Sequence, residues 1–256
     1  MNSSAFTKIG LLFVILFLTS CASKKNILYL QNIDSITNSN ALVNYETRLQ
    51  NDDLLSIIVS ADQPEATLPF NMPQIQGNYQ INENQDGIKT YLIDAEGYID
   101  FPVVGKIKLG GLTRNEAINK LTNAIKDYIT NPQINLRILN YKISVLGEVV
   151  RPGNFKISGE RITLLEAISM AGDLTIYGNR GNILVIRELN GTKTYTRIDI
   201  TKADFINSPF YYLTQNDVIV IEPNKTKVNS SVIGPDVATA LTALTLLTTV
   251  LLLFTR

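Results

Sequence analysis

Gly111-Leu112-Thr113-Arg114-Asn115-Glu116-Ala117 and Thr163-Leu164-Leu165-Glu166-Ala167 open two segments that read alike. In each, a threonine is followed three places later by a glutamate, just ahead of apolar residues at helical spacing. A threonine hydroxyl can accept the N–H at the third helical position while the glutamate reaches back to the threonine N–H, so the pattern predicts a capped helix start. In the first segment Ala117, Leu121, Ala124, Ile125 and Tyr128 share one face, and Asn131-Pro132 ends the helix. In the second, Leu164, Leu165, Ala167, Ile168 and Ala171 face inward and Gly172 supplies a C-terminal stop.

Outward from the first helix, the residues alternate as strands. Leu54-Leu55-Ser56-Ile57-Ile58-Val59 follows the turn formers Asn51-Asp52. Stretches 90–93 and 98–104 are joined by the turn Asp94-Ala95-Glu96-Gly97, and 133–139 puts Ile134, Leu136 and Ile138 on one side. The segment 64–87, punctuated by Pro64, Pro69 and Pro73, reads as loop. Around the second helix, Ile143, Val145 and Val149 mark a strand, Arg151-Pro152-Gly153 turns the chain, and 155–157 is extended. Segments 182–188 and 193–198 flank Asn190-Gly191, a strong hairpin signal, and 217–221 alternates as a last strand. The fold class is α+β, in two small mixed modules. Gln50-Asn51-Asp52-Asp53-Leu54 echoes Gln215-Asn216-Asp217-Val218-Ile219; both are turns feeding strands, which is shared turn chemistry and not a repeat.

Composition removes whole classes of function. Lysine plus arginine and aspartate plus glutamate balance at 23 each, so no global field draws in nucleic acid. There is no histidine, the commonest neutral-pH general base and metal ligand. Cys21 is the sole cysteine, which rules out an intrachain disulfide and a cysteine-cluster metal site. Asp52-Asp53 and Asp94 with Glu96 are carboxylate pairs, but each adjoins a turn signal, where turn and capping roles prevail over acid–base roles. Phe210, Tyr211 and Tyr212 are of a type that stacks on sugars, although aromatic residues near strands more often fill cores or interfaces. No catalytic residue, metal or cofactor is assigned, and the chain is not read as an enzyme.

Both ends carry membrane signals. Lys8 precedes the apolar run 9–18, which at about ten residues suits a signal peptide and is short for a bilayer of about 30 Å. Leu18-Thr19-Ser20-Cys21 resembles a bacterial lipobox, in which the cysteine thiol is acylated and cleavage precedes it. Two or more acyl chains give a stable anchor to membrane lipid. Ala22 is not the acidic residue associated with inner-membrane retention, so outer-membrane sorting is the expectation. At the other end, 237–254 (VATALTALTLLTTVLLLF) is uncharged and, as a helix, about 27 Å long. Thr239, Thr242, Thr245 and Thr249 form a stripe on one face, with Thr248 off it. Such a stripe suits close helix–helix packing, or the wall of a watery lumen in a ring of identical helices.

Taken in order, these residues resemble the polysaccharide biosynthesis/export family, in wording closest to Bacteroidota members. Asn51-Asp52-Asp53-Leu54-Leu55-Ser56-Ile57 is similar to the opening of the family's export domain, with Asn in place of Gly. Asp94-Ala95-Glu96-Gly97-Tyr98-Ile99-Asp100-Phe101-Pro102, with Gly105 and Gly111-Leu112-Thr113, continues the likeness. Val145-Leu146-Gly147-Glu148-Val149, Arg151-Pro152-Gly153 and Thr163 through Ala171-Gly172-Asp173-Leu174 resemble the β-grasp domain called SLBB. The resemblance divides the chain into a signal peptide (1–20), a tether (21–44), an export domain (45–139), an SLBB domain (140–223), a polar linker (224–235) and a transmembrane helix (236–254). It implies a homo-oligomeric ring in the outer membrane, lipid-anchored through Cys21. Its domains would lie mainly in the periplasm, and the threonine stripe would line a helical pore for capsular or exopolysaccharide. It also implies an inner-membrane co-polymerase partner, often a tyrosine kinase. Members of this type often carry more than one β-grasp module, and this chain shows one. A lipoprotein adaptor of the secretion complex, anchored but not itself the pore, is the alternative reading.

Overall fold

The computed structural model describes residues 25, 27–35, 47–71, 90–189, 191–232 and 235–254. The signal segment 1–20, Cys21 and most of the tether lie outside the described residues.

The first module is built on β1 (Leu54–Ser60), which buries Leu55, Ile57 and Val59 and also the intervening Ser56. α1 (Pro64–Asn71) follows, where a loop was expected. Proline suits the first helical position because its missing N–H would have had no partner there. Asn71 then ties the helix end to β1, accepting from Val59 N–H (2.9 Å) and donating to Val59 O (2.7 Å). β2 (Thr90–Leu92) and β5 (Gln133–Ile138) flank β1 antiparallel, in the order β2-β1-β5. The expected single strand over 98–104 is a hairpin of β3 (Tyr98–Phe101) and β4 (Gly105–Lys108). α2 (Arg114–Ile125) begins with the predicted capping box: Glu116 N–H donates to Thr113 Oγ1 (3.2 Å) and Thr113 N–H donates to Glu116 Oε2 (2.8 Å). Ala117, Leu121 and Ile125 are buried against Leu55, Ile57, Phe101 and Leu136. Tyr128 falls beyond the helix and is exposed, a departure from the expected face.

The second module is a five-stranded sheet in the order β10-β9-β12-β6-β7. It comprises β6 (Lys142–Gly147), β7 (Gly153–Lys156), β9 (Gly178–Leu189), β10 (Thr192–Ile198) and β12 (Val218–Pro223). β12 and β6 run parallel at the centre and the remaining pairs are antiparallel. The short strands β8 (Ile162–Thr163) and β11 (Tyr212–Leu213) pair apart from this sheet. α3 (Leu164–Met170) follows β8 with the second predicted box, Thr163 and Glu166 bonding reciprocally at 2.7 and 3.2 Å. Leu164, Ala167 and Ile168 pack against Ile143, Val145, Ile183, Val185, Ile219 and Ile221. β6 ends at Gly147, which has φ +92, and a Cβ there would lie 2.0 Å from Ile221 O. Only glycine permits both the backbone angle and the approach of β12.

The segment expected as a polar linker is α4 (Lys225–Val232), capped by Asn224, whose Oδ1 accepts Lys227 N–H at 3.0 Å. α5 (Pro235–Phe254) occupies the expected terminal helix. Among the described residues, however, no helix is long and apolar enough to cross a membrane. On α5 the side chains described are those of 239–240 and 242–250, and the longer stretch rises about 14 Å at 1.5 Å per residue. The expectation over 236–254 is therefore met for the helix and unsupported for the span.

Candidate functional site

Residues 29–32 and Asn224 both dock on the second module. Leu30 N–H donates to Ile200 O (3.2 Å) and Gln31 N–H to Thr201 O (2.8 Å). Asn32 Oδ1 accepts Ala203 N–H at 2.6 Å, and Tyr29 Oη donates to Asp173 Oδ1 at 2.5 Å. The Arg180 guanidinium lies 5.5 Å from the Tyr29 ring centre. Burial, then the bond to Asp173, pushes the Tyr29 phenol up to about 12. Tyr29 and Leu30 pack on the second core, so part of the expected tether is a docked strap. At the other end Asn224 N–H donates to Tyr177 O (2.7 Å) and Asn224 Nδ2 to Ile176 O (3.2 Å). Ile27 of the strap and Lys225 and Thr226 of α4 line one cleft of about 600 Å³. The strap and the start of α4 therefore border the same cleft. Cys21, a few residues before Ile27, lies outside the described residues.

The threonine stripe lies on α5 as expected, with Thr239, Thr242, Thr245 and Thr249 all exposed. Two of their hydroxyls turn back to the helix backbone. Thr245 Oγ1 donates to Thr242 O (2.8 Å), and Thr249 Oγ1 to Thr245 O (2.7 Å). Thr248, off the stripe, donates to Thr245 O (2.9 Å). A hydroxyl bonded to its own helix has satisfied its donor and keeps acceptor capacity, which lowers the cost of an apolar surrounding.

The carboxylates take turn roles. Asp94 Oδ1 accepts the N–H groups of Glu96 (3.1 Å) and Tyr98 (2.7 Å). Glu116 is held below its ordinary range first by the Thr113 N–H, and then by the Thr113 hydroxyl and Arg48. Among the described residues no group of three or more acidic or cysteine side chains converges on a metal site. Phe210 and Tyr211 pack against the second core, and Tyr211 meets Tyr212 edge-on at 5.0 Å.

The echo between the two aspartate turns is structural, in a register shifted by one residue. Gln50 N–H donates to Asp53 Oδ2 at 2.8 Å and Thr214 N–H donates to Asp217 Oδ2 at 2.8 Å. Asp53 N–H donates to Gln50 O and Asp217 N–H to Thr214 O, each at 3.2 Å. The third residue has positive φ in both, 66° at Asp52 and 64° at Asn216. Asn140 joins the two turns. It donates to Asp52 O (2.8 Å), accepts Leu54 N–H (2.9 Å), and its carbonyl accepts from Gln215 Nε2 (2.9 Å).

The turns differ in charge compensation. Asp217 receives Arg187 Nε at 3.0 Å and Arg187 Nη2 at 2.6 Å, and both side chains are buried. Arg187 also donates to Pro209 O and Tyr212 O and lies 4.6 Å from the Phe210 ring centre. Asp53 is fully buried and, among the described residues, has no such partner and no hydrogen bond to its Oδ1. Burial pushes Asp53 up to about 6, against the Gln50 N–H bond and aided by Asp52. Sequence reading missed this ion pair. Nothing local in a strand arginine marks it as buried.

An antiparallel sheet module is thus followed by a five-stranded mixed sheet on which both the 27–35 strap and Asn224 dock. Residues 41–139 match the family described as polysaccharide biosynthesis/export protein, and residues 141–221 match the SLBB domain. The chain belongs to the polysaccharide biosynthesis/export family. It is 31% identical over 197 residues to the EPS I polysaccharide export outer membrane protein EpsA of Ralstonia solanacearum, covering 73% of this chain and 52% of the relative. It is 32% identical over 155 residues to the protein of the same name from Ralstonia nicotianae, covering 58% of this chain and 40% of the relative. The chain thus spans about half the length, or less, of the curated relatives it matches.

Proposed function

We propose that this protein is an outer-membrane exopolysaccharide export subunit, acylated at Cys21, that forms a homo-oligomeric ring. In this reading the α5 helices wall the pore and the modules form a periplasmic vestibule. The observation that carries the reading is the shared exit: Ile27 of the strap and Lys225 of α4 line one cleft, so an acyl anchor and a terminal helix can enter one bilayer side by side. At about 1.5 Å per residue the twenty residues of α5 extend about 30 Å, near the hydrocarbon thickness. Backbone groups are satisfied within the helix, and Thr245 and Thr249 satisfy their own donors. A stripe with acceptor capacity alone binds a passing glycan weakly, which transport needs. The working partners are the glycan itself, further copies of the chain, membrane lipid and an inner-membrane co-polymerase.

The same hydroxyl bonding supports a second reading. A helix whose threonines are internally satisfied can lie in lipid without neighbours, as an adaptor anchored beside a separate pore would require. Two measurements separate the readings. Electron microscopy of the protein in mild detergent shows a closed ring if α5 lines a pore and monomers if it only anchors. Thr242→Leu and Thr245→Leu block glycan secretion without loss of the folded lipoprotein in the first case. Normal secretion from both variants, or from a chain lacking α5, refutes the channel.

A further inference from the structure

We propose that the cleft between strap, β9 and α4 is a glycan-contact site, with Tyr177 as its platform. The ligand class rests on the export reading; the site rests on geometry of its own. Tyr177 is 40% exposed and Ile176 57% exposed, side by side at the cleft wall. The Tyr177 backbone is fixed on both sides, its N–H donating to Thr175 Oγ1 (3.2 Å) and its carbonyl accepting Asn224 N–H (2.7 Å). Lys227 Nζ covers one ring face at 5.1 Å from the centre. A ring immobilised in this way loses little freedom when a sugar packs on it.

Polar groups surround the platform. Asn179 uses its Oδ1 on Gly181 N–H (3.2 Å), and among the described residues no partner takes the amide N–H groups of this cleft-lining residue, which leaves them for a ligand. Asp199 Oδ1 is held by Thr201 N–H (3.0 Å) and by the Thr201 hydroxyl, and Oδ2 lies 3.7 Å from Lys202 Nζ in a partly exposed pair, so the carboxylate is oriented before any ligand arrives. Lys225 forms no ion pair among the described residues. Amides, a carboxylate and an ammonium around an exposed ring match vicinal hydroxyls on a ring with an apolar face. The floor is open because residue 181 is glycine. A Cβ there would sit 3.7 Å from both Asn179 Oδ1 and Asp199 Oδ1, between the two hydrogen-bonding side chains. Its φ lies outside the left-handed region, so a larger residue fits the backbone and fills the notch.

The test is saturation-transfer NMR on the full chain in mild detergent, with maltohexaose as a neutral probe and an alginate hexasaccharide as a uronate probe. Transfer to sugar-ring protons from at least one probe is expected. Tyr177→Ala should weaken it about tenfold, the scale of one aromatic contact, and Gly181→Val should abolish it. Arg161→Ala, in the separate groove beside α3, should leave it unchanged. Unchanged melting of Gly181→Val shows that the loss is local. No transfer from either probe, or transfer that survives both cleft variants, overturns the site. That failure would leave the ring and the secretion test standing, whereas a dispensable α5 would overturn the export reading and leave the saturation result intact.

Discussion

Replacing Asp53 by asparagine removes a charge that the fold buries without compensation. Asp53 is fully buried, and among the described residues one oxygen accepts only the Gln50 N–H and the other has no partner. Its carboxyl titrates near 6 in the folded chain against an ordinary 3.8. Because the folded value is raised for an acid, the protonated form is favoured by folding. The penalty is absent below about pH 4, grows as pH rises towards 6, and is complete above it. At 1.36 kcal/mol per unit, the shift corresponds to about 3 kcal/mol of instability at pH 7.5. The substituted asparagine keeps an acceptor for Gln50 N–H but introduces an amide that also needs a partner, so a gain of about 1–2 kcal/mol is expected. For a module of this size that raises the melting temperature by roughly 5–15 °C. The assay is calorimetry of the full chain at pH 7.5 and pH 4.5. The expected result is a stabilised first module at pH 7.5 and no gain at pH 4.5. Destabilisation at both pH values, or a gain that does not depend on pH, refutes the reasoning.

Asp217→Asn, in the matching turn, should behave in the opposite sense, because it leaves Arg187 buried without its partner. A loss of about 3–5 kcal/mol at pH 7.5 is expected by chemical denaturation. Arg187→Met with Asp217→Leu should recover much of that loss, since neither charge then remains. Asn140→Ala removes the side-chain bonds to Asp52 O and Leu54 N–H but keeps the backbone carbonyl that accepts Gln215 Nε2, so chemical denaturation should show a loss of about 2 kcal/mol confined to the first module. Tyr29→Ala should release the strap, giving faster proteolytic cleavage within 27–35 while β9 keeps its hydrogen-exchange protection.

Much of this was legible before the structure, and the reason is local chemistry. Both capping boxes, the Asn190-Gly191 hairpin signal and the alternation of β1, β5 and β12 depend on neighbours within a few residues. Failures came where that information was ambiguous or absent. Pro64 and Pro69 read as loop, although a proline at the first helical position favours α1, and it is Asn71 bonding to Val59 that fixes the helix. Asn224 carried a capping signal three residues before Lys227 that the polar composition of the segment concealed. The strap, the Arg187–Asp217 pair and the junction at Asn140 join residues far apart in the chain, and no periodicity encodes them. In the candidate site, the stripe on α5 was readable as a pattern, but the return of its hydroxyls to the helix backbone required geometry.

The docked strap has a consequence for how such a chain can be remodelled. Because the 27–35 strap docks on the second module, the first module is topologically a splice between two parts of one folded unit. Lengthening, shortening or exchanging 47–139 would alter the first module while leaving the strap in register on the second. A lineage could therefore rebuild one module by insertion alone.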